Sequence, residues 1–112
     1  MMIEKTILDY LKETLSVPVY MERPEEDIGE YVVLEKTGSG RMNRINRATF
    51  ALQSFGDSLV RAAEINEDVK AAMDDLIVLP EISRSQLNSD YNFTDTTKKR
   101  YRYQAVYDIT HY

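Results

Sequence analysis

Apolar residues at the start of the chain recur every three or four positions, the spacing of one face of an α-helix. The positions that form this face are Ile3, Ile7, Leu8, Leu11 and Leu15. We predict an amphipathic helix that ends near Ser16, because Pro18 disfavours helical backbone at the residue before it. Residues 17–21 (VPVYM) are rich in β-branched and aromatic side chains, so a short extended segment is expected there.

A β-hairpin is predicted by two strand-like runs that flank a polar segment. The first run, YVVLEKT, covers about residues 31–37, and the second, NRATFALQSF, covers about residues 46–55. The segment between them contains Gly38 and Gly40, whose backbone freedom suits an irregular connection. We therefore expect a long, basic and mobile loop between the two strands.

A second amphipathic helix is predicted over about residues 58–76. Gly56 interrupts the preceding strand, and Asp57 or Ser58 can cap the helix. The apolar positions that share one helical face are Ala62, Ile65, Val69, Ala72, Met73 and Leu76. This spacing indicates a helix with one buried stripe and one polar face.

The remainder of the chain predicts a second hairpin. A polar, weakly alternating segment follows Pro80, and TDTTKK supplies a turn. The closing strand alternates clearly, and one of its faces carries Tyr101, Tyr103, Ala105, Tyr107 and Ile109. The predicted order is α-β-β-β-α-β-β, a single α+β domain over residues 1–112 in which two helices pack on an antiparallel sheet of two hairpins.

Composition limits the class of protein more than its function. The 112 residues carry a net charge of −5 and are 43% hydrophobic, which suits one soluble domain with its own core. The absence of cysteine excludes disulfides, thiolate nucleophiles and cysteine-bound metal clusters. The longest aliphatic run, LIVL at 76–79, is far shorter than the ~20 residues of a membrane span, so no membrane partner is expected.

Charged residues are clustered along the chain. Residues 22–30, ERPEEDIGE, contain five carboxylates and one arginine, and seven of the 14 basic residues lie at 41–47 and 98–102. Separate acidic and basic surfaces suit contacts between copies of a chain or with a charged partner. A purely solubilising role is the alternative for residues 41–47. The residues that we expect at an interface are Glu25, Glu26, Asp27, Arg41, Asn43, Arg44, Arg47, Lys98, Lys99 and Arg100.

No combination of residues in the sequence indicates an enzyme or a cofactor site. His111 is the only histidine and has no evident triad or metal partner, so we interpret it as part of a frayed strand end. Glu64, Glu67 and Asp68 share a helix face away from the apolar stripe, which indicates a solvated surface rather than a cation site. The GSG at 38–40 lacks the Gly-Lys-Ser/Thr of a phosphate loop. We expect a non-catalytic protein without metal or cofactor.

The closing TKKRYRYQAVYDITHY mixes cations with tyrosines, a combination that also occurs in nucleic-acid-binding proteins. Strand alternation places Tyr101, Tyr103 and Tyr107 on one face, where we expect them to pack against the helices. Rings packed in this way are not available for stacking on bases. The negative net charge also opposes binding to a polyanion, so a nucleic-acid-binding regulator is kept only as an alternative.

Three segments together resemble the tail terminator, or tail completion, proteins of long-tailed bacteriophages and their prophage relatives. They are YVVLEKTG in the first hairpin strand, LQSFGDSLVRAAEINEDVKAAM at the passage from strand to second helix, and YRYQAVYDI in the last strand. The resemblance extends over nearly the whole chain.

The resemblance implies a structural subunit of the virion tail that is assembled in the host cytoplasm. Proteins of this family form a ring, usually a hexamer, at the head-proximal end of the tail tube, where they end tube polymerisation and provide the attachment surface for the head. The implied partners are other copies of the chain, the major tail tube protein and a head-completion or connector protein. DNA passes through such rings without sequence-specific contacts. A head–tail connector, or neck, subunit is the alternative within the same virion.

Overall fold

The computed structural model describes residues 2–112. It contains helices α1 (Ile3–Thr14) and α2 (Leu59–Asp74), and a short 3-10 helix follows α2 at Asp75–Val78. The strands are β1 (Val19–Tyr20), β2 (Tyr31–Met42), β3 (Ile45–Gly56), β4 (Ile82–Asn92) and β5 (Tyr101–His111). The predicted α+β class and the order α-β-β-β-α-β-β are confirmed.

The five strands form one sheet in the order β1-β2-β3-β5-β4. Both predicted hairpins, β2–β3 and β4–β5, are present, and they pair with each other through β3 and β5. One edge differs from a purely antiparallel sheet, because β1 pairs in parallel with β2. Residues 21–30 return the chain to the level at which β1 began, and Val32 N–H then donates to the Pro18 carbonyl at 2.9 Å.

The connection between β2 and β3 is a tight turn, so the long mobile loop predicted at 38–45 was wrong. β2 runs to Met42 and β3 begins at Ile45, which leaves only Asn43 and Arg44 in the turn. Their φ angles are +52° and +65°, in the left-handed region that a two-residue type I′ hairpin turn requires. Asn adopts this region more readily than most residues. Pairing between β2 and β3 extends the hairpin through Gly38 and Gly40, which lie opposite Thr49 and Arg47.

Both helices pack on the same face of the sheet. The predicted apolar face of α1 is confirmed at Ile3, Ile7 and Leu11, which are buried in the main core. The Ser58 hydroxyl caps α2 by accepting a hydrogen bond of 3.1 Å from the Arg61 backbone N–H. The predicted apolar stripe of the second helix is also confirmed, although α2 ends at Asp74 and Leu76 belongs to the 3-10 helix that follows it. Its members are each at most 4% exposed: Ala62, Ile65, Val69, Ala72, Met73 and Leu76.

Strand β5 lies inside the sheet, between β3 and β4. Its predicted alternation is confirmed where the strand meets the helices, because Ala105, Tyr107 and Ile109 are buried. Tyr101 and Tyr103 are half-buried. Tyr107 therefore belongs to the core, Tyr101 and Tyr103 are strand residues at its margin, and Tyr112, which follows the strand, is exposed.

The end of β5 is well paired, so the frayed strand end expected at His111 was wrong. His111 lies opposite Asn46 of β3 on one side and opposite Ile82 of β4 on the other. Tyr112 N–H also donates to the Glu81 carbonyl at 3.0 Å. Because neighbours are present on both sides, the backbone of this segment has partners that a local sequence pattern does not reveal.

Candidate subunit interface

The predicted interface residues lie at two opposite ends of the sheet. At one end the β2–β3 turn projects residues 41–45, which we term the arginine tip. At the other end the chain enters β2 from residues 21–30, which we term the acidic loop. β3 connects the two ends, and its 12 residues at ~3.4 Å each separate them by roughly 40 Å. This separation is comparable to the 44 Å long axis of the molecule.

Three arginines in or beside the arginine tip lack ionic partners in the described part of the chain. Arg41, Arg44 and Arg47 are exposed, and none of them forms an ion pair within residues 2–112. Arg41 pairs with Asn46 across the hairpin and Gly40 pairs with Arg47, so Arg41 and Arg47 project from opposite faces. Positive charge is therefore present on both faces of the hairpin and at its end.

The arginine tip also exposes two apolar side chains. Met42 and Ile45 are 66% and 45% exposed, and they form the last cross-strand pair of the hairpin. Residues that pair directly across two antiparallel strands project from the same face. The tip therefore combines one small apolar patch with flanking arginines.

The acidic loop carries carboxylates in two different situations. Glu22, Glu25 and Glu26 are exposed, and in the described part of the chain none of them forms an ion pair. Glu30 instead forms an ion pair of 2.7 Å with Arg61 of α2. Three carboxylates of the loop are thus available to an external cation.

Asp27 is engaged inside the protein, although it was predicted at an interface. Arg100 Nε donates to its Oδ1 at 2.9 Å, and Arg23 and the Tyr31 hydroxyl also donate to the carboxylate. Partial burial raises the pKa of this carboxyl, but hydrogen bonds from Tyr31, Arg100 and Arg23 outweigh burial and lower the pKa from 3.8 to about 2. The charges of Asp27 and Arg100 therefore balance each other within one chain.

A stacked aromatic pair lies beside this cluster, and it was not among the residues predicted from the sequence. The rings of Tyr31 and Phe55 stack with their centroids 4.6 Å apart and are separate from the helix-covered core. Arg23, Arg100 and Arg102 lie 4.9, 5.5 and 5.5 Å from the Phe55 centroid, within range of cation–π attraction. The signal in the sequence is that Tyr31 begins one predicted hairpin strand and Phe55 ends the other.

The second basic window lies at the same end of the sheet as the acidic loop. Lys98 and Lys99 belong to the β4–β5 turn and are exposed, whereas the Arg100 side chain is only 12% exposed. Tyr101, which follows this turn, pairs with Gly56 at the end of β3. The two basic windows of the sequence are therefore a strand length apart and do not form one continuous surface.

A groove beside the acidic loop exposes apolar side chains. It lies between α1 and the segment that runs from β1 into the loop, and its volume is about 500 Å³. Its charged border is formed by Lys12, Glu22, Arg23 and Glu25. The apolar residues that line it, which define the apolar groove, are Leu8, Val19, Tyr20, Met21 and Pro24.

Two of the three carboxylates on the outer face of α2, Glu64 and Glu67, have neighbours of opposite charge, and Asp68 is exposed. Glu64 pairs with Arg61 at 3.2 Å and Glu67 with Lys70 at 2.9 Å. Among residues 2–112, no group of three or more histidine or acidic side chains is placed to hold a metal ion.

Neither helix in this part of the chain combines the length and the apolar character needed to cross a membrane.

Comparison with known proteins assigns no family to the chain. No protein-family model matches it, and no curated protein matches it significantly. Function is therefore inferred from the shape and charge of the surfaces at the two ends of the sheet, together with the resemblance of the three sequence segments.

Proposed function

We propose that the protein is a structural subunit of a bacteriophage or prophage tail that forms a homo-oligomeric ring, as a tail terminator does. One observation carries the proposal. Arginines and carboxylates that form no ion pair within residues 2–112 lie at opposite ends of a single sheet, so each subunit presents two complementary surfaces that cannot reach each other.

Opposite charges at opposite ends favour head-to-tail association of identical copies. Arg41 and Arg44 of one subunit attract the exposed carboxylates of the next, whereas a symmetric contact of tip against tip brings like charges together. A head-to-tail interface is heterologous, because it joins two different surfaces. It produces a ring when the rotation between neighbours closes, and the tail terminator resemblance implies six subunits.

A ring at the head-proximal end of the tail tube is the position that the resemblance suggests. There the ring binds the major tail tube protein, ends tube polymerisation and offers its other side to a head-completion or connector protein. DNA passes through the lumen, where any contact with basic side chains is to phosphates and carries no sequence information. In this role the protein is structural and not catalytic.

A head–tail connector subunit is the second candidate within the same virion. It would use the same contacts between subunits and would differ in the component to which the ring attaches. Binding to tail tubes distinguishes the two candidates, because a terminator binds the tube end directly. A neck subunit binds instead to the head portal or to a terminator that is already in place.

A nucleic-acid-binding regulator has less support. Its two basic windows lie at opposite ends of the sheet, and Arg100 is occupied by Asp27 and by backbone carbonyls. Retention of a labelled oligonucleotide at ~150 mM salt would favour the regulator, whereas weak binding that disappears at that salt concentration is the result expected of a ring subunit.

Measurement of the oligomeric state tests the proposal. Light scattering and negative-stain imaging of concentrated protein are expected to show rings, alone or after addition of tail tubes. The population of rings should fall as salt rises from ~50 to ~500 mM, because salt screens attraction between exposed charges. A protein that stays monomeric at every concentration, also in the presence of tail tubes, contradicts the proposal.

A further inference from the structure

We propose that the arginine tip of each subunit inserts into the apolar groove of the next subunit. This inference rests on the proposed ring, since it takes the occupant of the groove to be a second copy of the chain, and it assigns that contact to two defined surfaces. The tip and the groove lie at opposite ends of the sheet. Neither surface can therefore cover the other within one subunit.

The apolar parts of the two surfaces complement each other. Met42 and Ile45 form a patch that water covers in the isolated subunit. The groove exposes apolar surface of its own, since Tyr20 and Met21 are each 40% exposed. Contact between the patch and the groove removes both from water, which is the main favourable term in most protein association.

The shape of the tip suits insertion. β5 ends opposite Asn46, so the Met42–Ile45 pair and the two turn residues extend beyond it, and this end of the hairpin is only two strands wide. The groove lies at the opposite end of the sheet, beside the edge strand β1, which has a strand neighbour on one side only. A narrow hairpin end can therefore approach this open edge without displacing another strand.

The charges around the two surfaces also match. Arg44 in the turn adjoins the apolar patch, Arg47 projects from the same face as the patch and Arg41 from the opposite face. Glu22 and Glu25 border the groove. The border contains two cations as well, but Arg23 is already paired with Asp27, which leaves Lys12 to oppose the incoming arginines. Glu26 adds a further unpaired carboxylate nearby, so carboxylates outnumber free cations around the groove.

Charge reversal followed by mixing tests this contact. The tip-reversed variant carries Arg41→Glu and Arg44→Asp, because aspartate tolerates the positive φ of the turn. The groove-reversed variant carries Glu22→Lys and Glu25→Lys. In each variant alone, reversal replaces attraction by repulsion, so half-maximal assembly should need roughly tenfold more protein or more.

Mixing the two variants supplies the decisive readout. The reversed tip fits the reversed groove and the native tip fits the native groove, so an equimolar mixture should assemble into alternating oligomers at concentrations where neither variant does. The control, Glu35→Lys with Asp68→Lys, changes charge by the same amount at two exposed carboxylates that lie outside both surfaces, and it should assemble as the wild type does. Circular dichroism confirms that each variant is folded.

The apolar part of the contact has its own pair of variants. Met42→Ser should weaken assembly, whereas Val60→Ser, at a residue on α2 that is 69% exposed, should leave assembly unchanged. The inference is overturned if the folded Met42→Ser variant, or either charge-reversed variant alone, assembles like the wild type, or if the two reversed variants remain separate when mixed. Each of these results leaves the proposed ring in place. A wild-type protein that never assembles contradicts the ring itself, so the two failures are distinguishable.

Discussion

Arg100 and Asp27 are 73 positions apart in the chain, yet Arg100 Nε donates to the Asp27 carboxylate at 2.9 Å. The same guanidinium donates to the Gly56 carbonyl at 3.0 Å and to the Gly29 carbonyl. One side chain thus connects the β4–β5 turn, the end of β3 and the acidic loop. This connection orders the loop that borders the groove.

Asp27→Asn should destabilise the fold and loosen the acidic loop. The substitution keeps the shape of the side chain but removes the charge that faces Arg100, so we expect a loss of about 1–2 kcal/mol of unfolding free energy. Urea denaturation measures this loss, and hydrogen exchange should show faster exchange in residues 21–30. Glu26→Gln is the matched control and should change stability by less than about 0.5 kcal/mol. Equal effects of the two variants would contradict the central role of Asp27.

The contribution of Asp27 should depend on pH in a defined window. Because the folded pKa of this carboxyl is about 2 against an ordinary value of 3.8, the folded state favours the ionised form. The stabilisation is fully present above about pH 4 and is lost as the pH falls through about 2. The difference in Tm between the wild type and Asp27→Asn should therefore narrow over that interval. A difference that stays constant from pH 6 to pH 2 would show that the carboxylate charge does not stabilise the fold.

Gly56→Ala should be among the most damaging single substitutions. An added Cβ would lie 2.5 Å from the Ala62 backbone nitrogen and 2.9 Å from the Arg61 carbonyl carbon, where α2 passes closely over the end of β3. Relief of this overlap requires the helix backbone to move, at an expected cost of about 2–4 kcal/mol. Gly40→Ala is the control, because a Cβ there meets no atom within 4 Å. Thermal unfolding of both variants checks the prediction, and a Gly56→Ala protein as stable as Gly40→Ala would contradict it.

Arg44→Gly should separate folding from assembly. Arg44 has a φ of +65°, and glycine at the second position of a type I′ turn removes steric strain. We expect a net gain of about 0.5–1 kcal/mol in unfolding free energy, because relief of the left-handed strain exceeds the extra entropy that glycine loses on folding. The same substitution removes one charge of the arginine tip and should weaken association. Chemical denaturation and light scattering on one sample measure the two effects. Increased stability with undiminished assembly would show that Arg44 does not contribute to the contact.

The elements that were predicted correctly are those with a local repeat. The apolar stripe from Ala62 in α2 to Leu76 in the following 3-10 helix and the alternation of β5 around Tyr107 reflect side chains that pack against one neighbouring layer. The β2–β3 hairpin was predicted too short because Gly38 and Gly40 are poor strand formers, and both faces of this segment are exposed, so no alternation marks it. Pairing with β3 determines its conformation instead.

Composition identified the charged segments but not their partners. Asp27 and Arg100 looked as available as Glu25 and Lys99, because a sequence shows the number of charges and not which of them meet after folding. The ion pair between Asp27 and Arg100 forms because the acidic loop, the end of β3 and the β4–β5 turn become neighbours when the sheet forms. The opposite placement of the two basic windows is likewise a consequence of strand direction, since residues 41–47 and residues 98–100 occupy opposite ends of adjoining hairpins.

The most direct test of the proposed function is electron microscopy of tail tubes grown from the cognate major tail tube protein, with and without this protein. We expect tubes that bind it to carry ring-shaped density at one end and to stop lengthening when more tube subunits are added. Tubes whose ends carry no added density and continue to grow at the same rate would contradict the account.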